Sequence, residues 1–150
     1  MQVRTLRIGS LAGLLAAITS SLWLYATTLA AGSGSLGGLS AQMARIAFGK
    51  TPITGDPVAI GLLLFCGICL GWAYGYASLA SRNPALSRAP WISGTVFGLL
   101  VLVTMQSMLL SVQQFHPFSP LGFLNIVILH TAFFGVPIAL AVARLQKRTG

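Results

Sequence analysis

The chain of 150 residues carries nine Lys or Arg, one acid (Asp56) and a formal net charge of +8, with 7% charged and 55% apolar residues. A soluble domain holds roughly 25% charged residues, so an ordinary soluble fold is excluded. Nucleic-acid binding is also excluded as the meaning of the charge, because the basic residues stand at the ends of long apolar runs, where Lys and Arg set topology and meet lipid headgroups.

A helix needs about 20 apolar residues to cross a bilayer. By that measure the sequence predicts an all-α protein, a single transmembrane domain built as a four-helix bundle with spans near 8–31, 57–80, 90–113 and 121–143. The first run, from Ile8, follows Arg4 and Arg7 and ends on Leu29-Ala30-Ala31, which resembles a signal cleavage site. Its length of roughly 24 residues is long for a signal core of about 7–15. The segment 32–56 follows. Gly32-Ser33-Gly34-Ser35 is flexible in character, and Leu39, Met43, Ile46 and Ala47 then recur at helical spacing with Gln42, Arg45 and Lys50 among them. The expectation for residues 39–48 is a short amphipathic helix on the outer surface.

Pro57 and Pro90 suit first helical turns, which have no use for the missing N–H. The second span contains Gly67, Gly71 and Gly75, the third Gly94 and Gly98, and the first Gly9 and Gly13. Glycines four apart form a smooth stripe on which another backbone can rest, so these positions are expected to serve packing within the bundle or an interface with another subunit. The last turn before the fourth span, QFHPFSP over residues 114–120, is broken by proline and places aromatics at interface depth. Arg4, Arg7, Arg82, Arg88, Arg144, Lys147 and Arg148 fall on one side of a four-span chain, whereas Arg45 and Lys50 on the other side are offset by Asp56. The positive-inside rule puts both termini in the cytoplasm.

Few residues at membrane depth can carry chemistry. Cys66 and Cys69 match C-x-x-C but sit roughly 13 Å along a helix, where positions i and i+3 rarely close a disulfide; they read as small buried apolar side chains. His130 is an ionisable group at depth and hence a candidate site. Phe133, Phe134 and Pro137 share its face, and Pro137 frees the carbonyl of Phe133. The imidazole could ligate haem or a chlorophyll-type pigment, serve a quinone or proton, or bond a neighbouring helix. Counted from the outer side, His130, Thr104, Gln106, Ser107, Cys66, Cys69, Ser20 and Ser21 fall in one layer roughly 9–18 Å down. The expectation is a buried polar layer centred on His130 and Gln106, either a hydrogen-bonded clamp or a small-ligand pocket with Thr104 and Ser107. No acidic pair, phosphate loop, dinucleotide fingerprint or metal-ligand cluster is present in the sequence, so no catalytic residue is assigned.

The run Gly9-Ser10-Leu11-Ala12-Gly13, the glycine-rich second span, Trp91-Ile92-Ser93-Gly94-Thr95-Val96-Phe97-Gly98 and Leu129-His130 followed by Phe133-Phe134-Gly135 resemble the small four-helix bacterial inner-membrane proteins grouped as domains of unknown function. The resemblance covers most of the chain, with segment 32–56 as a departure, and implies a helical bundle in a bacterial membrane without assigning an activity. Three functions follow as expectations. The first is a non-catalytic accessory or scaffold subunit of a larger membrane assembly, photosynthetic or respiratory, with other membrane subunits as partners. The second is a tetrapyrrole- or quinone-binding protein using His130. The third is a small-solute channel or carrier.

Overall fold

The computed structural model describes residues 2–30, 36–48, 54–111 and 119–148, and these are helical apart from short connections. The elements are α1 (Gln2–Ala30), α2 (Leu36–Phe48), α3 (Pro57–Arg82), the single turn α4 (Ala85–Arg88), α5 (Pro90–Ser111), and a fourth long helix made of α6 (Pro120–Ile128), a π-helical segment (Leu129–Gly135) and α7 (Val136–Arg148). Four helices are long and apolar enough to cross a membrane: Val3–Ala30, Pro57–Arg82, Pro90–Leu110 and Pro120–Lys147.

Local chemistry sets several of the boundaries. Asp56 is the N-cap of α3, its carboxylate accepting from the Val58 N–H at 2.9 Å, with Pro57 in the first turn. Ser119 caps α6 in the same way, accepting from the Gly122 N–H at 3.1 Å ahead of Pro120. A cap oxygen satisfies one of the orphan N–H groups at a helix start. At the other end of α3, the Asn83 N–H reaches the Leu79 carbonyl, and the Asn83 side chain accepts from the Ala85 N–H. Several boundaries differ from the sequence expectation: α2 begins at Leu36 rather than at residue 39, and α3 runs to Arg82 rather than ending at Ala80. Helix α1 begins at Gln2 rather than at Ile8, and the fourth helix continues to Arg148 rather than ending at Ala143. Arg and Lys are good helix formers, so a helix need not stop where its apolar run does.

Helix α1 packs on α3 and on the fourth helix, which in turn packs on α5, and α2 is seated chiefly on α3. The buried core is mostly small: Ala12, Ala16, Ala73, Ala77, Ala80 and Ala139 surround Tyr76, Val101, Phe134, Ile138 and Val142. Large apolar side chains such as Leu22, Leu63, Val103 and Leu124 are exposed. Small side chains inside and large ones outside let helix backbones approach while presenting hydrocarbon outward, the arrangement suited to a lipid surround.

Glycines mark the closest approaches. A Cβ on Gly98 would collide with the His130 carbonyl, one on Gly135 with the Gly94 carbonyl, and one on Gly94 with Val136, so α5 and the fourth helix touch backbone to backbone. Gly9 and Gly13 of α1 lie against the backbones of Tyr74 and Leu70. Helix α2 is not a connector lying free over the bundle, because the Ser40 carbonyl is pressed on Gly61 of α3 and Ala44 is fully buried. Gly67, Gly71 and Gly75 differ: all three are exposed and nothing within 4 Å faces the place of their Cβ atoms, so of the two expectations for them packing within the bundle is not met. At about 100° per residue, Gly71 points roughly 160° away from Cys69 and Ala73, which are buried in the core. The stripe therefore looks away from the bundle.

These contacts set opposite outcomes for one substitution. Gly98→Ala must push α5 off the fourth helix and should destabilise the fold by about 1–3 kcal/mol, the usual cost of overpacking. Gly71→Ala meets nothing and adds helix propensity, so its effect should be neutral to slightly stabilising. Equilibrium unfolding in mixed detergent micelles distinguishes the two; equal losses would mean that the glycine faces are misassigned.

Candidate functional site

The irregular point of the bundle is the π-helical segment. In a regular helix the carbonyl of Phe133 would accept from residue 137, but Pro137 has no N–H. The widened turn carries the ladder past this gap, with the Val136 N–H reaching the Thr131 carbonyl, and π-helical turns are frequent at functional positions. The freed Phe133 carbonyl is taken by α1: Thr19 Oγ1 donates to it at 2.6 Å and Ser20 Oγ at 3.1 Å. A carbonyl has two lone pairs, so both bonds can be held together. Thr19 Oγ1 also lies 2.9 Å from the Leu15 carbonyl and 3.2 Å from the Ala16 carbonyl, but one hydroxyl has one proton, and the shortest approach is to Phe133. Toward the end of the bundle that holds Asp56 and Ser119, Trp23 continues the same seam. Its ring stacks on Phe133 with centroids 4.4 Å apart, and its Nε1–H donates to Asn125 Oδ1 at 2.8 Å.

His130 lies in the same π-helical segment and is partly buried. Its Nδ1 is 2.9 Å from the carbonyl of Ile126, and its ring centroid is 6.4 Å from that of Phe134. A carbonyl only accepts, so Nδ1 carries the proton, and in the neutral ring Nε2 is the acceptor. Thr104 and Ser107 donate to carbonyls of their own helix, Leu100 at 2.9 Å and Val103 at 2.8 Å, and Ser107 is exposed. Gln106 Oε1 is buried without a hydrogen-bond partner among the described residues. Cys69 is buried and Cys66 partly so, both as free thiols. Among the described residues no hydrogen bond joins His130 to Gln106. The interhelical polar contacts are thus centred on the Phe133 carbonyl and not on the His130–Gln106 pair, since Thr, Ser and His at helical positions can all turn back onto their own i−4 carbonyls. His116 lies outside the described residues.

Three of the residues that hold this seam, Thr19, Trp23 and Asn125, do not stand out in the sequence. The signals that pointed to it were Pro137, which announces an unpaired carbonyl without saying which helix supplies the donor, and Ser20, which stands at membrane depth.

A second polar cluster closes the opposite end of the bundle. Tyr76 of α3 is almost fully buried, and its Oη lies 2.8 Å from Ser93 Oγ of α5, which in turn donates to the Leu86 carbonyl of α4 at 2.8 Å. The Phe97 ring meets Tyr76 edge-on at 4.9 Å and Trp72 at 6.0 Å. Beside it, Arg4 donates to the Gln146 carbonyl at 3.0 Å and Ser87 Oγ to Gln146 Oε1 at 2.7 Å, tying α1 and α4 to α7. Among the described residues no group of three or more His, Cys, Asp or Glu could hold a metal ion.

No protein-family model, curated protein or solved structure matches the chain.

The shared acceptor makes the seam non-additive. Thr19→Val or Ser20→Ala alone leaves one donor on the Phe133 carbonyl and should cost about 0.6 kcal/mol, typical of an interhelical hydrogen bond in a membrane protein. The double substitution strands a part-buried carbonyl and should cost more than the sum of the two, up to about 3 kcal/mol. A double-mutant unfolding cycle measures the excess, and strict additivity would mean that Phe133 is not a common acceptor.

Proposed function

We propose that this chain is a non-catalytic scaffold subunit of a larger membrane assembly, held in a bacterial inner membrane with both termini in the cytoplasm, and that α3 is its contact with a partner helix. The observation that carries this reading is the contrast between glycines. Gly9, Gly13, Gly61, Gly94, Gly98 and Gly135 each have a neighbouring backbone or Cβ pressed against them, whereas Gly67, Gly71 and Gly75 form one open stripe on the outer face of α3. A shallow groove of about 450 Å³ runs along the same face between Ile60, Leu63, Leu64, Gly67 and Ile68. A smooth glycine track flanked by branched side chains is what a crossing helix packs into. The orientation is supported by the basic residues collected at the end holding Arg4, Arg82, Arg88, Arg144 and Lys147.

The test is extraction in mild detergent followed by native mass measurement. The wild-type chain should leave the membrane with a bound protein partner. Gly71→Leu should release that partner while keeping helicity and melting temperature, because among the described residues nothing lies within 4 Å of the place of its Cβ. A wild-type chain that is a stable monomer with nothing bound would overturn the proposal.

A second reading, a tetrapyrrole on His130, is favoured by the Nδ1 bond to the Ile126 carbonyl, which leaves Nε2 as the lone-pair atom. Axial and metal-bound histidines commonly donate their other N–H to a backbone carbonyl in this way. It requires a Soret or chlorophyll band in the absorption spectrum of the purified protein, abolished in His130→Ala; a featureless visible spectrum removes it.

A further inference from the structure

Cys66 and Cys69 are the only cysteines of the chain, and neither the seam at Phe133 nor the scaffold role uses them. Both are free thiols. Cys69 is 1% exposed within the buried core, and the partly buried Cys66 packs against the same core. Among the described residues no hydrogen bond is made by either sulfur.

Helix α3 is continuous from Pro57 to Arg82, so the two residues stand three apart on an unbroken helix. That spacing turns one side chain about 60° from the other and raises it about 4.5 Å. Both therefore lie on one face, with Cβ atoms about 5–6 Å apart. A disulfide needs Cβ atoms about 3.5–4.5 Å apart, so direct bonding of the sulfurs is disfavoured. The same separation suits two sulfurs that share one atom between them. On the scale of a metal–thiolate bond of about 2.3 Å, an ion held in line needs its sulfurs about 4.6 Å apart.

Ligand count and charge narrow the ion. Thiolates select soft ions. Zinc takes four ligands, and among the described residues no third His, Cys, Asp or Glu joins the pair. Along α3 no charged residue lies between Asp56 and Arg82, which stand roughly 15 Å and 20 Å from the nearer cysteine. An unbalanced charge in apolar surroundings is costly. Two thiolates are cancelled by a divalent ion, whereas a monovalent ion leaves a net negative charge. Soft, divalent and satisfied by two ligands in line is the description of a mercuric ion.

We propose that Cys66 and Cys69 form a two-coordinate site for a soft divalent ion of the mercuric type. The partly exposed Cys66 receives the ion, and the buried Cys69 closes the second bond. With mercuric chloride, an uncharged molecule able to enter apolar surroundings, two S–H and two Hg–Cl bonds break and two S–Hg bonds form. Two protons and two chloride ions leave to water, and no oxidation state changes. The inference rests on neither the scaffold role nor the tetrapyrrole reading.

The experiment is titration of the full, reduced chain in nonionic detergent with mercuric chloride against a competing soluble monothiol, read by native mass and by proton release. The wild-type chain should bind one ion and release two protons. It should hold the ion against at least about a hundredfold more monothiol than Cys66→Ala or Cys69→Ala, because its second bond is intramolecular. Cys66→Ala combined with Gly67→Cys keeps two thiols but sets them two apart, about 200° around the helix. The new side chain enters a place where nothing lies within 4 Å, and this variant should lose the ion as readily as the single variants. Zinc at the same concentrations should not bind. Cys66 is partly exposed, so its two variants decide the matter even where Cys69→Ala fails to fold. Two ions per chain, an ion bridging two chains, equal binding of zinc, or retention by Cys66→Ala or the rearranged variant equal to the wild type would each overturn the site.

Discussion

The carbonyl of Phe133 cannot be satisfied from its regular place in the helix, because the residue four positions on is Pro137. In water this would matter little. At bilayer depth, which helices of this length and hydropathy could span, an orphan backbone acceptor would cost several kcal/mol, with no solvent at hand to relieve it. The π-helical turn and the two hydroxyls of α1 are the response: the turn lets the ladder resume beyond the gap, and Thr19 and Ser20 fill the vacant lone pairs. Placing those hydroxyls fixes the height and rotation of α1 against the fourth helix. Once α1 is fixed, Gly9 and Gly13 set where α3 lies, and α3 in turn carries α2 on Gly61. The order of dependence therefore runs outward from one missing N–H.

The same segment governs the other side of the fourth helix. Its backbone, through His130, Thr131 and Gly135, is the surface against which Gly94 and Gly98 of α5 rest. A side chain longer than hydrogen at these positions would separate the two backbones. The aromatic rings keep to the flanks of these contacts: Phe133 turns to Trp23 on α1, while Phe97 of α5 turns to Tyr76 and Trp72 on α3. Glycine contacts set the separation of the helices, and the rings fill the wedges that this separation leaves.

The spans were legible because their cause is local. Apolar runs of sufficient length, proline at 57 and 90, and basic residues at one set of ends are all present in the linear sequence. The polar seam was legible only in half. Pro137 announces a free carbonyl and Ser20 stands at a plausible depth, but Thr19 reads equally well as a hydroxyl folded back on Leu15, and the structure contains that contact too. Asn125 lies inside the expected fourth span, and nothing in the sequence names Trp23 as its partner. The depth argument put His130 and Gln106 in one layer, but it is Gly98 of α5 that meets the His130 carbonyl, and Gln106 lies eight residues, roughly 12 Å, further along that helix; counting from helix ends also says nothing about rotation, and hydroxyls and imidazoles can return to their own backbone. Rotation was also what the glycine stripes lacked. A repeat of four defines a face without saying what covers it, and in α3 that face is turned from the core.

That last ambiguity carries the most physical content. A glycine in a helix costs roughly 0.8–1.0 kcal/mol relative to alanine. At Gly98 or Gly135 close backbone packing offsets the cost within the chain itself. At Gly67, Gly71 and Gly75 nothing within the bundle does so, although alanine would fit at each without a contact. The helix is weakened along one face with no internal return. An approaching helix would supply the missing return in the same form that α5 receives at Gly98: dispersion contact between backbones and no side-chain entropy to lose. The outer face of α3 combines this weakness with an adjoining groove of branched side chains, which is why the proposed assembly role is placed on that face and not on the bundle as a whole.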